Sequence, residues 1–250
     1  MLSKKSFLLN KLWVGLLALT SAHTMVNGDP ANTISFAGVE FRIIKSGESD
    51  HRFIWLHGDE KTAEMALEYH IQHYPGSAFF IRSEDREISL ATTKVDPNRL
   101  FSRPGAKNTL QKFKTDWKVN NLSDVLDQLD STRELFLKTL LPSNGGLLIA
   151  VHNNFRGYNV RMELPASRLN SIKPKQNPRD FILCTNESDF QKLADGPFNV
   201  ILQDKLPDLD DGSLSWAALK NKIRYVNIET QLGWLSQQKK MLRFVEETIK

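Results

Sequence analysis

Cysteine is nearly absent from this sequence, with Cys184 the only one in 250 residues. A chain with one thiol forms no internal disulfide, which excludes a small secreted domain held together by disulfides. Three common catalytic or nucleotide-binding signatures are missing as well: the G-x-S-x-G elbow, the phosphate-binding G-x-x-x-x-G-K loop and the H-E-x-x-H helix. Any catalytic chemistry therefore comes from another arrangement of residues.

A dense basic tract is also lacking. The formal net charge is +4, but Lys4, Lys5 and Lys11 lie in the first 22 residues, which contain no acid. Without that segment the net charge falls by three, to about +1. Because no basic cluster with interleaved aromatic residues remains, nucleic acid is not an expected partner.

The N-terminal segment has the pattern of a secretory signal peptide. Three lysines precede the apolar run from Leu12 to Leu19, and small residues follow through Ala22. The run is too short to span a bilayer comfortably. We predict a signal peptide over residues 1–22, with cleavage as late as residue 28 as the alternative. The expected location is periplasmic or secreted, without a stable membrane anchor after cleavage, and the lone thiol suits a bacterial periplasmic protein.

Residues 29–250 are expected to form one domain. Buried-looking strands alternate with helix-like segments, which predicts an α/β three-layer sandwich with a mixed central sheet and helices on both faces. The stretch 167–179, with two prolines and four basic residues, is expected to be a surface connection or a substrate-facing loop. The strand-like runs are 33–36, 40–44, 53–56, 78–81, 87–91, 147–151, 181–184, 198–202 and 223–228; the helix-like segments are 60–72, 123–141 with Ser123 as N-cap, 188–194, 215–222 and 234–249.

Two of the predicted strands are followed directly by residues of types that commonly bind metals. His57-Gly58-Asp59-Glu60 follows the apolar run Phe53–Leu56, so an H-x-x-E pair lies where a strand gives way to a helix. An imidazole and a carboxylate at this spacing can converge on one Zn²⁺, which takes such ligands at about 2.0–2.2 Å. His152 ends the apolar run Leu147–Val151 in the same manner. Ligands gather beyond the carboxyl ends of strands in such sheets, so His152 is the candidate third ligand.

Two further segments complete a recognisable order. Asp96-Pro97-Asn98-Arg99-Leu100-Phe101 places an amide beside a guanidinium, and the late strand Tyr225–Ile228 ends in Glu229. H-x-x-E, D-x-N-R-x-F, a strand-end His and a strand-end Glu, taken together, resemble the zinc carboxypeptidase superfamily, including its succinylglutamate desuccinylase and aspartoacylase branch. The resemblance covers roughly Arg52 to Gly233. It implies a zinc carboxypeptidase-like fold with one zinc ion, held by His57, Glu60 and His152, a substrate carboxylate held by Asn98 and Arg99, and Glu229 as general base.

The residue types suit these roles, although simpler interpretations exist. Arg99 offers a planar fork for a carboxylate, but Asp96-Pro97-Asn98 is also a good turn sequence, and Arg99 could pair with a surface acid. Glu229 would share one strand face with Tyr225 and Asn227, or would be an edge-strand acid facing solvent. The resemblance also implies a second arginine that stabilises the oxyanion. The sequence leaves Arg82, Arg86 and Arg103 open for that role.

The sequence also departs from the family's patterns. Ala150-Val151 before the third ligand lacks the acidic neighbour of the aspartoacylase branch, and Asn153-Asn154 replaces the Ser-Tyr of digestive carboxypeptidases. His70 and His73, spaced i, i+3, could form a second metal site or a solvated helical pair.

The expected function is an exported zinc-dependent carboxypeptidase-like hydrolase. Its substrate would be a peptide or acylated amino acid with a free carboxylate, as in cell-wall peptides, cleaved at the adjacent amide. The alternatives are an N-acyl amino acid deacylase and a non-catalytic zinc- or ligand-binding module.

Overall fold

The computed structural model describes residues 32–249, except residues 144 and 156 and the side chain of Val119. The expected signal peptide, residues 1–22, lies outside the described residues. Among the helices that are described, none combines the length and the apolar character needed to cross a membrane.

Nine of the described strands form one mixed sheet, and β5 and β6 form a separate hairpin. The order across the large sheet is β1-β2-β4-β3-β7-β11-β9-β10-β8. The strands are β1 (Thr33–Phe36), β2 (Val39–Ser46), β3 (Arg52–Trp55), β4 (Gly76–Ile81), β5 (Ile88–Leu90), β6 (Thr93–Val95), β7 (Leu147–Asn154), β8 (Leu169–Ser171), β9 (Phe181–Cys184), β10 (Asn199–Leu202) and β11 (Arg224–Gln231).

The centre of the sheet is parallel. Strands β4, β3, β7 and β11 run in one direction, while β2 and β9 flank them antiparallel. Every residue of β4 and β7 is buried. Continuous apolar runs are typical of strands covered on both faces. The parallel arrangement places the carboxyl ends of β3, β7 and β11 at one edge of the sheet.

Helices cover both faces of this sheet. In the β3–β4 pair, Phe79 lies opposite Ile54, the neighbour of Phe53 along β3. Because successive side chains point to opposite faces of a sheet, Phe53 and Phe79 lie on opposite faces. Phe53 contacts His70 of one helix at 5.0 Å, and Phe79 contacts Phe136 of another at 6.3 Å, both between ring centroids. The architecture is therefore a mixed α/β fold consistent with an α/β sandwich. The helices are α1 (Lys61–Ile71), α2 (Arg103–Phe113), α3 (Val119–Leu140), α4 (Val160–Glu163), α5 (Glu187–Ala194), α6 (Leu214–Lys220) and α7 (Leu235–Thr248).

Each strand or helix expected from the sequence has a counterpart, and four of the described α-helices and strands were missed. These are α2, α4 and the short strands β6 and β8. The stretch 167–179 was expected to be a surface connection or a substrate-facing loop, but it contains β8, which pairs antiparallel with β10 at the sheet edge. The prediction of Ser123 as a helix N-cap is wrong, because α3 already begins at Val119.

Candidate metal centre and its cavity

The turn between β3 and α1 positions two of the predicted ligands. The Glu60 amide donates to the His57 carbonyl at 3.1 Å, and Trp55 Nε1 donates to the Glu60 carbonyl at 3.1 Å. Gly58 is required here, because a Cβ at this position would lie 2.1 Å from the Ser83 carbonyl oxygen. These contacts hold the turn in a conformation where the His57 and Glu60 side chains meet.

The third predicted ligand arrives from β7. His152 Nδ1 lies 3.0 Å from Glu60 Oε2 and 3.2 Å from His57 Nδ1, while His57 Nδ1 lies 2.8 Å from Glu60 Oε1. All three side chains are buried. One ligand atom from each residue lies within 4.8 Å of the others. This group, called the His–Glu–His cluster below, could therefore hold a metal ion.

Asp96 makes the donor set suitable for a cation. Its Oδ1 lies 2.8 Å from His57 Nε2 and accepts a hydrogen bond from it, so the Nδ1 lone pair faces Glu60 and His152 once Nδ1 has lost its proton. Carboxylates commonly orient metal-binding histidines in this way. His152 lacks such support: its Nε2 is buried and without a hydrogen-bond partner among the described residues.

The electrostatics of the cluster favour positive charge. Burial alone would raise the pKa of Glu60, but the charges and hydrogen bonds of His57 and His152 hold it well below its ordinary value. Burial alone would lower the pKa of His57, but Glu60 and Asp96 raise it to about 9. The cluster thus already stabilises a buried proton on His57, at the place where a cation would bind.

The structure distinguishes among the three candidate arginines. Arg86 lines the cavity, and its Nη1 donates to Glu60 Oε1 at 2.8 Å. Arg82 pairs with Glu40 at 3.0 Å on the surface. Arg103 pairs with Asp127 at 2.8 Å and also with Asp130. Of the three, Arg86 is the one beside the His–Glu–His cluster.

Glu229 lies in the interior of the sheet, so the edge-strand alternative is wrong. Strand β11 runs between β7 and β9, and Glu229 pairs in register with His152. The Glu229 carboxylate accepts from Asn154 Nδ2 and Asn227 Nδ2, each at 3.2 Å. Burial raises the pKa of Glu229, and the charge of Glu60 raises it further, against the opposing effects of His152 and the two asparagines. A buried carboxylate of raised pKa thus lies beside the cluster.

Asn98 and Arg99 line the same cavity, although both already have partners. The Asn98 Oδ1 accepts from the Leu214 amide at 2.9 Å. Arg99 Nη1 donates to Asp211 Oδ2 at 2.6 Å. The simpler interpretation of Arg99, an ion pair with an acid, therefore describes its present contact. A substrate carboxylate would have to share the guanidinium with Asp211 or displace that residue.

The supporting roles of two residues, Asp96 and Asn154, were not predicted from the sequence. Asp96 was assigned a turn role, which it has, since it accepts from the Asn98 amide at 2.8 Å; its contact with His57 depends on tertiary structure. Asn154 was noted as a departure from the family, but it holds Glu229, and its Oδ1 accepts from Arg179 Nε at 3.0 Å.

His70 and His73 do not form the second metal site that was one of their two alternatives. His70 is buried, with its Nε2 3.5 Å from Glu246, whereas the ring of His73 bonds the Tyr69 carbonyl at 2.7 Å. Among the described residues, the His–Glu–His cluster is the one group of three or more ligand-type side chains close enough to hold an ion.

The site residues surround one cavity of about 560 Å³. This volume lies in the range of small-molecule sites, roughly 300–1,000 Å³. The apo structure of the ectoine utilization protein EutE (DoeB) from Ruegeria pomeroyi is similar to this chain, with 16% sequence identity and a TM-score of 0.43. The match covers 82% of this chain and 59% of that one, so the chain spans less than two thirds of the neighbour's length. No known protein family and no curated protein matches the sequence.

Proposed function

We propose that this protein is a zinc-dependent hydrolase of the carboxypeptidase type, which cleaves an amide bond next to a free carboxylate. The observation that carries the proposal is the buried convergence of His57, Glu60 and His152 beside Glu229. Three ligand-type side chains and a separate buried carboxylate, all lining one cavity, are what metal-assisted hydrolysis requires.

His57, Glu60 and His152 would hold the ion. Two imidazoles and one carboxylate match the ligand preferences of zinc and leave a coordination position open. When bound, zinc in such a site activates a water molecule and polarises a carbonyl group. Asp96 would keep the His57 ring oriented, with Nδ1 facing Glu60 and His152.

Glu229 would hold and move the proton. Asn154 and Asn227 fix the carboxylate, and its raised pKa makes it a better proton acceptor near neutral pH than an exposed glutamate. It would accept a proton from the attacking water and then donate that proton to the departing amine. General acid–base work of this kind contributes roughly 10²–10⁴ in rate.

Arg99 and Asn98 would bind the substrate carboxylate, and Arg86 would stand near the developing oxyanion. Arg99 supplies a planar fork of donors that matches a carboxylate. Arg86 lies closest to the cluster of the three arginines considered, which supports it for the oxyanion role.

The first experiment separates an enzyme from a binding module. Glu229→Gln keeps the size and shape of the side chain but cannot accept the proton, so bound zinc should persist while turnover of N-acylated dipeptides falls by roughly 10² or more. Glu134→Gln, an exposed position on α3, is the matched control. Wild-type turnover in Glu229→Gln would refute the assigned base.

Zinc content and product identity test the rest of the proposal. Purified protein should hold about one zinc per chain, and His57→Ala or His152→Ala should strip it. Full occupancy in the double variant would refute the metal site. Release of a free amino acid from a peptide supports the peptidase, whereas release of a simple acyl acid supports the N-acyl amino acid deacylase. An export location, periplasmic or secreted, remains part of the proposal.

A further inference from the structure

The cavity extends along the sheet beyond the His–Glu–His cluster. In the strand order, β11, β9 and β10 follow β7, which carries His152. Leu183 of β9 and Gln203, directly after β10, line the cavity. With strands about 4.8 Å apart, these residues lie roughly 10–14 Å along the sheet from β7. We name the end of the cavity formed by Glu163, Leu183, Gln203, Trp216 and Asn227 the side pocket.

Glu163 brings a carboxylate to the side pocket. Its Oε1 accepts from the Tyr158 hydroxyl at 2.6 Å, and its Oε2 accepts from Gln203 Nε2 at 2.8 Å. Both donors are neutral, and the two described arginines of the cavity pair with other acids, Arg86 with Glu60 and Arg99 with Asp211. Each carboxylate oxygen retains a lone pair for another donor. Glu163 is therefore oriented by neutral donors and has no cationic partner among the described residues.

Asn227 adds an acceptor that lacks a donor. Its Nδ2 donates to Glu229, so its Oδ1 is the free end of the amide. That oxygen is buried and has no hydrogen-bond partner among the described residues. An unpaired buried acceptor is costly, and a donor on a ligand would relieve that cost. Asn227 pairs in register with Leu183, so both side chains lie on the face that the cavity occupies.

The walls and the overall charge fit a basic side chain. Leu183 and Trp216 are both buried and apolar, which suits the methylene stem of a lysine or arginine. Among the described residues that line the cavity, acidic side chains outnumber arginines, so the formal charge of this lining is negative. The acidic residues of the lining are Glu60, Asp96, Glu163, Asp211 and Glu229, and the arginines are Arg86 and Arg99.

We propose that the side pocket binds a side chain ending in an amine or guanidinium, so that the residue bearing the substrate's free carboxylate is a basic one. The preference for substrates that end in a basic residue rests on the proposed hydrolytic function. The binding of an amine or guanidinium group in the side pocket does not rest on it. An acidic side chain would meet the Glu163 carboxylate and the Asn227 oxygen, both acceptors. An aliphatic one would leave the Asn227 oxygen unpaired.

The test compares zinc-loaded wild type, Glu163→Gln and the control Glu134→Gln on N-acetyl-glycyl-lysine and N-acetyl-glycyl-leucine. Wild type should prefer lysine by about tenfold or more in kcat/KM. Leucine forms no hydrogen bond with the Glu163 carboxylate, and the loss of a hydrogen bond to a buried charged group corresponds to at least about a tenfold change. Glu163→Gln should lower the ratio by about tenfold, and Glu134→Gln should leave it unchanged. A wild-type ratio of one or below overturns the proposal, whatever the folding of the variant.

A binding measurement separates this proposal from the hydrolytic one. Calorimetry with Nα-acetyl-lysine and Nα-acetyl-leucine reports on the side pocket without turnover. Lysine-selective binding that is lost in Glu163→Gln, with no hydrolysis of any peptide, supports the side pocket and refutes the proposed enzyme. Hydrolysis without any preference for lysine, in rate or in binding, supports the enzyme and overturns the side pocket.

Discussion

Zinc binding should displace a proton from His57. In the metal-free protein, burial acts to lower the pKa of His57, but Glu60 and Asp96 raise it to about 9. At pH 7 the imidazole is then almost fully protonated, and a metal can take Nδ1 only if a proton leaves. We expect about one proton released per zinc at pH 7. The apparent affinity should fall about tenfold for each pH unit below 9, or roughly 100-fold at pH 7.

Asp96→Asn tests the physical origin of this effect. The variant removes a hydrogen bond and a charge that raise the pKa of His57, so fewer protons should be released at pH 7. Zinc affinity should nevertheless fall, by about 10–100-fold, because Asp96 also orients the ring. The number of protons released per zinc and the zinc affinity would thus both fall. General destabilisation of the fold would lower the affinity without this change in the number of protons. Asp124→Asn, exposed on α3, is the matched control.

Titration calorimetry in two buffers of different ionisation enthalpy measures the proton count between pH 6.5 and 8, and a competing chelator keeps the affinity measurable. The slope of affinity against pH then gives an independent value. A zinc affinity that does not change with pH, or zinc binding without proton release at pH 7, would refute the reasoning.

Two further predictions concern Arg99 and Glu246. Arg99→Lys should raise KM for substrates with a free carboxylate by about tenfold and affect amidated substrates less, since an ammonium cannot reproduce the bidentate fork. Asp211→Asn, which releases the guanidinium of Arg99, should lower KM for the same substrates. Equal rates of wild type on free and amidated substrates would contradict the role assigned to Arg99. Burial alone would raise the pKa of Glu246, but His51 and His70 lower it to about 2, so its contribution to stability is present above about pH 4.5 and lost as the pH falls towards 2. Glu246→Gln should therefore lower the free energy of unfolding by on the order of 1–2 kcal/mol at pH 6 and have little effect at pH 2 in urea titrations; an equal loss at both pH values would point to packing instead.

Local sequence determined the main elements of this fold and two of the three members of the His–Glu–His cluster. Buried strands such as β7 are continuous apolar runs because both of their faces are covered, and that requirement is visible without tertiary information. The H-x-x-E turn is equally local, since His57 and Glu60 are only three positions apart. Elements without an apolar pattern were missed: α2 begins Arg-Pro-Gly, and β8 is a three-residue edge strand.

Only the tertiary structure decided which distant residues meet and what their protons do. His152 reaches His57 across 95 positions because β3 and β7 pair in parallel, and Asp96 reaches it across 39. Arg99 meets Asp211 across 112 positions, a contact that the D-x-N-R pattern does not contain. The pKa of His57 and that of Glu229 depend on burial and on neighbouring charges, which exist only once the chain has folded.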